Sequence, residues 1–334
     1  MQRRRFLYAT VQGTAATALG ALGAGLSTHA QAQAQAYPGP VKVVLPLQAA
    51  SASDVAVRLM IERLAPRLGT SMLVENVAAA AGLVGLEQLS RARPDGRTVA
   101  ALNNSIVTIL PHLQLAKIKG EPRRDYLPVA GIANIPTFFA VPASSPVKTV
   151  QDLIKLAKAQ PEKLTYSSGG VGSPQHLATE MFKSFSGTSL LHVPYRGASQ
   201  AALAVASGEV QLMSMALSLA QPFLADNRVR LIGYCGTERH AQFRDLPTLR
   251  EQGVKGYDYS SWVALFLARE TPADLVTLLR REAQAVAEER DFHVQLIRSG
   301  LEPWARTPEQ LIRVIDEDFD RWRKVIQDAK IQAS

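Results

Sequence analysis

A chain of 334 residues is long enough for one or two domains, and at 47% hydrophobic and 20% charged it has the make-up of an ordinary globular protein. That balance excludes disorder, collagen and coiled coil as the main architecture, and the single cysteine, Cys235, excludes an intramolecular disulfide framework. The net charge of +8 is mild for this length, and no Lys/Arg cluster is interleaved with aromatics, which argues against a nucleic-acid partner.

Part of that charge sits at the N-terminus. Arg3, Arg4 and Arg5 precede Phe6-Leu7 and a weakly apolar run of Ala, Gly and Thr. No Asp, Glu or Lys occurs before Lys42, and the run ends in the Ala/Gln alternation Ala30–Ala36. This is the layout of a cleaved bacterial export signal over 1–36, with an Ala-x-Ala site at or shortly before Ala36. The Arg3-Arg4-x-Phe6-Leu7 spacing is that of the twin-arginine variant, although Sec export fits the same layout. Gly and Thr interruptions make the run a poor membrane-spanning helix, so a periplasmic protein is expected.

From Val41 the pattern alternates strand and helix. Val41–Leu45 is a β-branched run stopped by Pro46, and apolar residues recur at helical spacing from Asp54 to Leu68, with Ser51 and Ser53 available as caps. Strands are predicted at 72–74 and 98–102, and a helix at 83–91. Further helices are predicted at 149–159, at 173–185, where Ser173-Pro174 supplies cap and first turn, and at 200–207. Strands are predicted at 163–166, 190–193, 210–215, 230–235 and 262–268. Two helices follow, opened by Thr271-Pro272 and by Thr307-Pro308. The rhythm implies α/β architecture with parallel sheets. The proline-marked stretch 128–146 and the stretch 236–257 read as irregular crossings between two α/β halves, with a ligand cleft between them.

Three loops that follow strands are candidate ligand contacts. In Ser167–His176, three glycines, Ser168 and Ser173 precede a helix N-terminus, a device for holding a carboxylate or phosphate without a counter-charge; a structural turn is the plainer alternative. The loop lacks the Gly-Lys-Ser/Thr ending of a nucleotide-binding P-loop. The small residues of 46–54 permit close approach of backbone to ligand, with Asp54 either touching ligand or simply starting the helix. Asn103-Asn104-Ser105 can hydrogen-bond a ligand or make a turn. Ser173 and His176, three apart, are conceivable as a hydrolase pair, but no Gly-x-Ser-x-Gly elbow or acid partner accompanies them. The histidines show no metal-ligand spacing, so neither a metal nor a cofactor is expected. Cys235 and the three tryptophans read as packing.

The ordered motifs resemble the periplasmic solute receptors of tripartite tricarboxylate transporters, the Bug family, over Tyr37 to Ile331. They are Val43-Val44-Leu45-Pro46 with Asp54, Val74-Glu75-Asn76, Pro94-Asp95-Gly96-Arg97-Thr98, Tyr166-Ser167-Ser168-Gly169-x-x-Gly172-Ser173-x-x-His176-Leu177, His192-Val193-Pro194-Tyr195-Arg196-Gly197, Gly208-Glu209-Val210, Leu246-Pro247-Thr248 and Ser261-Trp262. The resemblance implies an α/β type II periplasmic-binding-protein fold with two lobes, a central ligand cleft and two crossing segments. Lobe 1 is expected at 37–137, lobe 2 at 138–238, and a return segment of lobe 1 with C-terminal helices at 239–334. It implies a receptor rather than an enzyme, monomeric, that delivers a small carboxylate to membrane permease subunits.

The ligand-binding residues it implies are Leu47, Gln48, Ala49, Ala50 and Ser51 in the first loop and Ser168, Gly169, Gly172 and Ser173 in the second; Asp54, Asn103 and His176 remain candidates from the reading of the loops themselves. The chain departs from the family where Leu47 replaces an aromatic, where Ala50-Ser51 replace glycines, and where Met215 replaces an acidic residue able to hold a ligand ammonium. Leu47 and Met215 are therefore expected in an apolar wall around a carboxylate that carries no amine.

Overall fold

The computed structural model describes residues 37–114, 121–329 and 331; the expected export signal lies outside these residues. Val41–Leu45 forms β1, its run of Val and Leu buried apart from Lys42. Then come α1 (Ala52–Leu68), β2 (Met72–Asn76), α2 (Leu83–Ser90) and β3 (Thr98–Asn103). Ser51 starts α1 by accepting the Asp54 backbone N–H on its hydroxyl, and Gly69 ends it at φ 64°. A wide π-type turn at Ser105–Ile109 leads into α3 (Leu110–Gln114), and α4 (Pro122–Asp125) precedes β4 (Tyr126–Asn134) and β5 (Thr137–Pro142).

These last two strands occupy the stretch expected to be irregular. Their almost unbroken burial removes the polar alternation that marks a half-exposed strand. Pro128 is tolerated because the pairing of β4 shifts register beside it.

The second half contains α5 (Val150–Ala159), β6 (Thr165–Ser168), α6 (Pro174–Ser186), β7 (Leu191–Pro194), α7 (Ala198–Ala206), β8 (Met213–Ala216), α8 (Leu217–Ala225) and β9 (Val229–Tyr234). Thr149 and Asp152 make a reciprocal capping box on α5. After an irregular stretch come β10 (Trp262–Ala268), α9 (Ala273–Ala287), α10 (Arg290–Arg298), the short β11 (Glu302–Pro303) and α11 (Pro308–Ala329). Sequence periodicity alone did not separate α8 and α10 from their neighbours.

The first lobe is a six-stranded sheet in the order β11-β4-β10-β3-β1-β2. β1 is parallel to β2 and β3, as the βαβ rhythm requires, whereas β10 lies antiparallel between β3 and β4, making the sheet mixed. The second lobe carries an antiparallel β8-β5-β9 sheet and the parallel pair β6-β7. The crossings between lobes lie side by side: Ile135 N–H donates to Ser261 O at 2.8 Å, and Cys235 N–H to Thr137 O at 2.9 Å.

α11 also spans both lobes. Its Leu311 and Ile315 pack on the first sheet's core, and Trp322, Val325 and Ile326 on the second. Between these ends the buried Asp318 accepts from Trp262 Nε1 at 2.8 Å and from Arg321 at 2.6 Å. Burial pushes this carboxyl up against the opposing pull of Arg321 and Trp262. Trp262→Phe removes one donor from a buried oxygen and should cost about 1–3 kcal/mol in urea denaturation; an unchanged midpoint would show that the indole N–H does not stabilise this junction.

Candidate functional site

The loop after β1 is folded around one carboxylate. Asp54, almost fully buried, accepts from Ala50 N–H and Arg58 Nε, each at 2.9 Å on Oδ2, and from Asn76 Nδ2 at 2.9 Å on Oδ1. Asn76 Nδ2 also donates to Leu47 O at 3.1 Å, and Arg58 closes the circuit on Asn76 Oδ1 at 3.0 Å. Burial alone would raise the Asp54 carboxyl; the hydrogen bonds from Arg58, Asn76 and Ala50, with the charge of Arg58, bring it below the usual carboxylate range. All these donors are the protein's own, so Asp54 positions the loop.

The loop after β6 is held by two histidines. Ser173 caps α6 by accepting His176 backbone N–H at 3.4 Å, with Pro174 at the first helical position. Gly170 at φ 118° and Gly172 at φ 78° take conformations that side chains resist. The Gly172 N–H donates to His176 Nδ1 at 3.2 Å, and His192 Nε2 lies 2.6 Å from Ser168 Oγ. Ser168 Oγ also accepts Gly170 N–H at 3.1 Å and donates to Gly170 O at 3.0 Å. A hydroxyl has one proton to give, so all three contacts are satisfied when His192 carries its proton on Nε2.

The histidine rings stack at 4.4 Å, and Tyr166 stacks on His192 at 4.8 Å. Tyr166 donates to Glu180 at 2.5 Å, which also pairs with Lys183. Burial, followed by His176, drives His192 down to about 4, and burial likewise lowers His176. Ser173 thus meets the backbone of His176, not its ring, and the paired serine is Ser168. Parallel pairing of β6 and β7 brings Ser168 and His192 together, a contact that spacing along the chain does not display.

Between the loops lies a hollow of about 550 Å³, partly open to solvent. The first lobe contributes Leu47, Gln48, Ser51, Ala52 and Ser53, and the crossings contribute Ile135 and Ser261. Thr137 belongs to the same crossing as Ile135, and the second lobe contributes Gly169, Ser173, Pro174, Gln175, Ala198, Ser214 and Ala216. No acidic, basic or histidine side chain is among these; the polar lining consists of hydroxyls, amides and backbone. Ser214 Oγ is buried beside the Cys235 thiol. The lobes touch at the mouth. Ser199 Oγ donates to Ala50 O at 3.5 Å, and Gln48 packs so close to Gly197 that a Cβ there would meet its Oε1 at 2.8 Å.

Of the residues predicted from sequence, Leu47, Gln48, Ser51, Gly169 and Ser173 line this hollow. Asp54, Ser168, Gly172 and His176 support it from behind. Ala49 and Ala50 are exposed on the loop. Asn103 is not in the lining; its Oδ1 accepts from Ser105 and Ile106 and starts the π-type turn. Met215 requires a correction. β8 alternates, so Met213 and Met215 pack into the apolar cluster with Ala201 and Val205, while Ser214 and Ala216 face the hollow. Leu47 therefore lines the hollow and Met215 does not. Ser53 and Gln175 fall within the two loops singled out from sequence, whereas Thr137 and Ser261 were not singled out as ligand contacts; being small polar residues at strand ends, they read as turns or caps.

A neutral histidine pair has a pH signature. Both are held below 6.5 in the fold, so the unfolded chain takes up protons first as pH falls. The stabilisation from neutral His192 is complete above about pH 6.5 and is lost progressively toward its folded value of about 4. The thermal midpoint should fall across that window, and His192→Gln should make the fall shallower. Identical slopes would mean that His192 does not titrate with unfolding.

Comparison with known proteins places these features in a family. Residues 56–331 match the tripartite tricarboxylate transporter family receptor. The fold is similar to that of Rpa4515 of R. palustris, solved with adipate, at TM-score 0.82 and 30% identity, covering 87% of this chain and 97% of that one. It is similar to MatC of Rhodopseudomonas palustris with bound malate, at TM-score 0.80 and 25% identity over 86% and 98% of the two chains. The periplasmic binding protein BugD superposes at TM-score 0.82 and 25% identity over 89% and 99%.

Proposed function

Since the chain belongs to the tripartite tricarboxylate transporter receptor family, and is thus a solute-binding receptor of periplasmic type and not an enzyme, we propose that its hollow between 46–53 and 168–175 captures a small carboxylate for delivery to membrane permease subunits. The lining carries this reading: convergent hydroxyls, amides and backbone from both lobes, with no fixed charge. Such donors solvate a carboxylate in place of water, and the dipole at the start of α6 adds favourable field. No lining carboxylate is available to pair with an ammonium, which favours ligands without an amine. Leu47, Ile135 and Pro174 supply apolar surface for the ligand body. The ligands of Rpa4515 and MatC, adipate and malate, are the first candidates.

In this reading lobe 1 is 37–137 with its return segment in 239–334, and lobe 2 is 138–238. The lobes rotate about Ile135–Thr137 and the strand ends at Cys235 and Ser261, closing on a ligand that contacts both. Calorimetry with adipate and malate tests it. Ser173→Ala should weaken binding by roughly 5- to 150-fold, equivalent to about 1–3 kcal/mol for a hydroxyl bonded to a charged group. An unchanged affinity removes Ser173 from the site, and failure of every small carboxylate in a thermal-shift screen removes the ligand class.

The N-terminal 36 residues act, on the same proposal, as a cleaved twin-arginine signal. Replacing Arg3 and Arg4 together by Lys should leave the unprocessed chain in the cytoplasm; continued export would assign the Sec route.

A further inference from the structure

A second hollow lies at the opposite end of the first lobe's sheet. β4 and β10 are antiparallel neighbours whose one pair of ends leads, through Ile135 and Ser261, to the central hollow. Their other ends, at Tyr126–Pro128 and at Phe266 and Arg269, help to line a separate space of about 610 Å³, partly open to solvent. The length of the strands puts the two sites about 20 Å apart. Buried Phe266 and Ile315 form apolar wall, and Ile312 on α11 stands at the rim, 47% exposed. Three arginines and one carboxylate, Asp316, complete the polar lining.

The arginines are not equivalent. Arg123 is fully engaged, pairing with Asp316 at 3.0 Å and Glu121 at 3.2 Å and lying 3.6 Å over the Phe319 ring. Arg280 donates Nε and Nη2 to one backbone carbonyl, Pro128 O, at 3.0 and 2.8 Å. Arg269 donates Nε to Arg124 O. Among the described residues neither Arg269 nor Arg280 has a carboxylate within ion-pair distance. Half-burial lowers the Arg280 pKa, opposed by Glu309 at longer range. The other acidic groups nearby are Asp125, paired with Arg124 at 3.2 Å, and Glu270, both beside Tyr126. A guanidinium has five N–H donors, so three on Arg280 remain beyond its carbonyl. Partly desolvated donors against apolar wall are costly when unpaired and bind carboxylates strongly.

We propose that this hollow is a second ligand site, for a small organic carboxylate whose apolar body lies on Phe266, Ile312 and Ile315 and whose charge meets Arg280 and Arg269. The site is independent of the central hollow, because it draws on different residues at the other end of the same strands.

The test uses the purified, 15N-labelled chain. Arginine Nε–H resonances are followed while benzoate is added, with benzyl alcohol as the uncharged control, and are assigned by their loss in Arg269→Gln and Arg280→Gln. The Arg269 and Arg280 signals should move saturably with benzoate and stay still with benzyl alcohol. Ile312→Glu, a change at an exposed helix position, should weaken the effect at least about fivefold by placing a negative charge on the rim. Ser173→Ala, which acts only at the central hollow, should leave it unchanged. Should Arg280→Gln fail to fold, the Arg269 signal and Ile312→Glu decide the matter alone. Arginine signals that do not respond to tens of millimolar benzoate, an effect indifferent to Ile312→Glu, or one that disappears in Ser173→Ala, each overturns the proposal.

Discussion

The cleft depends on a carboxylate that never faces it. Asp54 gathers Ala50 N–H, Arg58 and Asn76 around two oxygens, and through Asn76 it also ties down the carbonyl of Leu47. A loop of small residues has little packing of its own, so its backbone would otherwise sample many shapes. Anchoring both its middle and its start to one buried acceptor fixes where Leu47, Gln48 and Ser51 stand. Because its own donors compensate it, Asp54 adds no bare negative field to the hollow, which an incoming anion would have to overcome.

The second lobe reaches the same end with uncharged groups. A cationic residue at the loop after β6 would bind an anion more strongly, but it would also bind any anion and release it slowly. Instead the loop is shaped by Gly170 and Gly172 and pinned from behind by His192 on Ser168 and His176 on Gly172. Burial keeps both imidazoles neutral, so they act as donor and acceptor rather than as charges. Glu180 and Lys183 pair with each other in the same cluster, leaving little net field. What lines the hollow is a set of hydroxyls, amides and backbone groups from both lobes; on the proposed reading, closure is favoured when an anion contacts both.

Reading the chain in order recovered the βαβ alternation of β1 to β3, the capped start of α6 and the two loops that bound the hollow, because each has a local cause: β-branched runs, Ser-Pro at a helix start, glycines after a strand. The remainder depends on contacts that local pattern does not carry. β4 and β5 are buried on both faces, so their runs of apolar residues lack alternation, and their prolines resemble breaks. Met215 and Ser214 are adjacent in a four-residue strand, and only its pairing with β5 decides which of them faces the hollow. Asp54 could be recognised as a helix-start carboxylate with Arg58 one turn on in the same helix, but Asn76 reaches it only once β1 and β2 are paired. The three arginines at the far hollow come from three separate segments and form no sequence pattern at all.

Ala50 shows how the first loop accommodates its departure from the family pattern. It sits at φ 58°, the left-handed region that glycine enters freely and that an L side chain resists by roughly 1–2 kcal/mol. Its N–H points inward to Asp54 at 2.9 Å, and its carbonyl points outward to Ser199 of the other lobe. Both bonds need the left-handed turn, since an extended residue cannot aim the two groups this way. Alanine also has fewer conformations than glycine to lose on folding, which offsets part of the strain. The family glycine can therefore be replaced without losing the turn, provided Asp54 and its partners stay in place. The loop's shape is carried by that buried carboxylate rather than by the freedom of the residue at the bend.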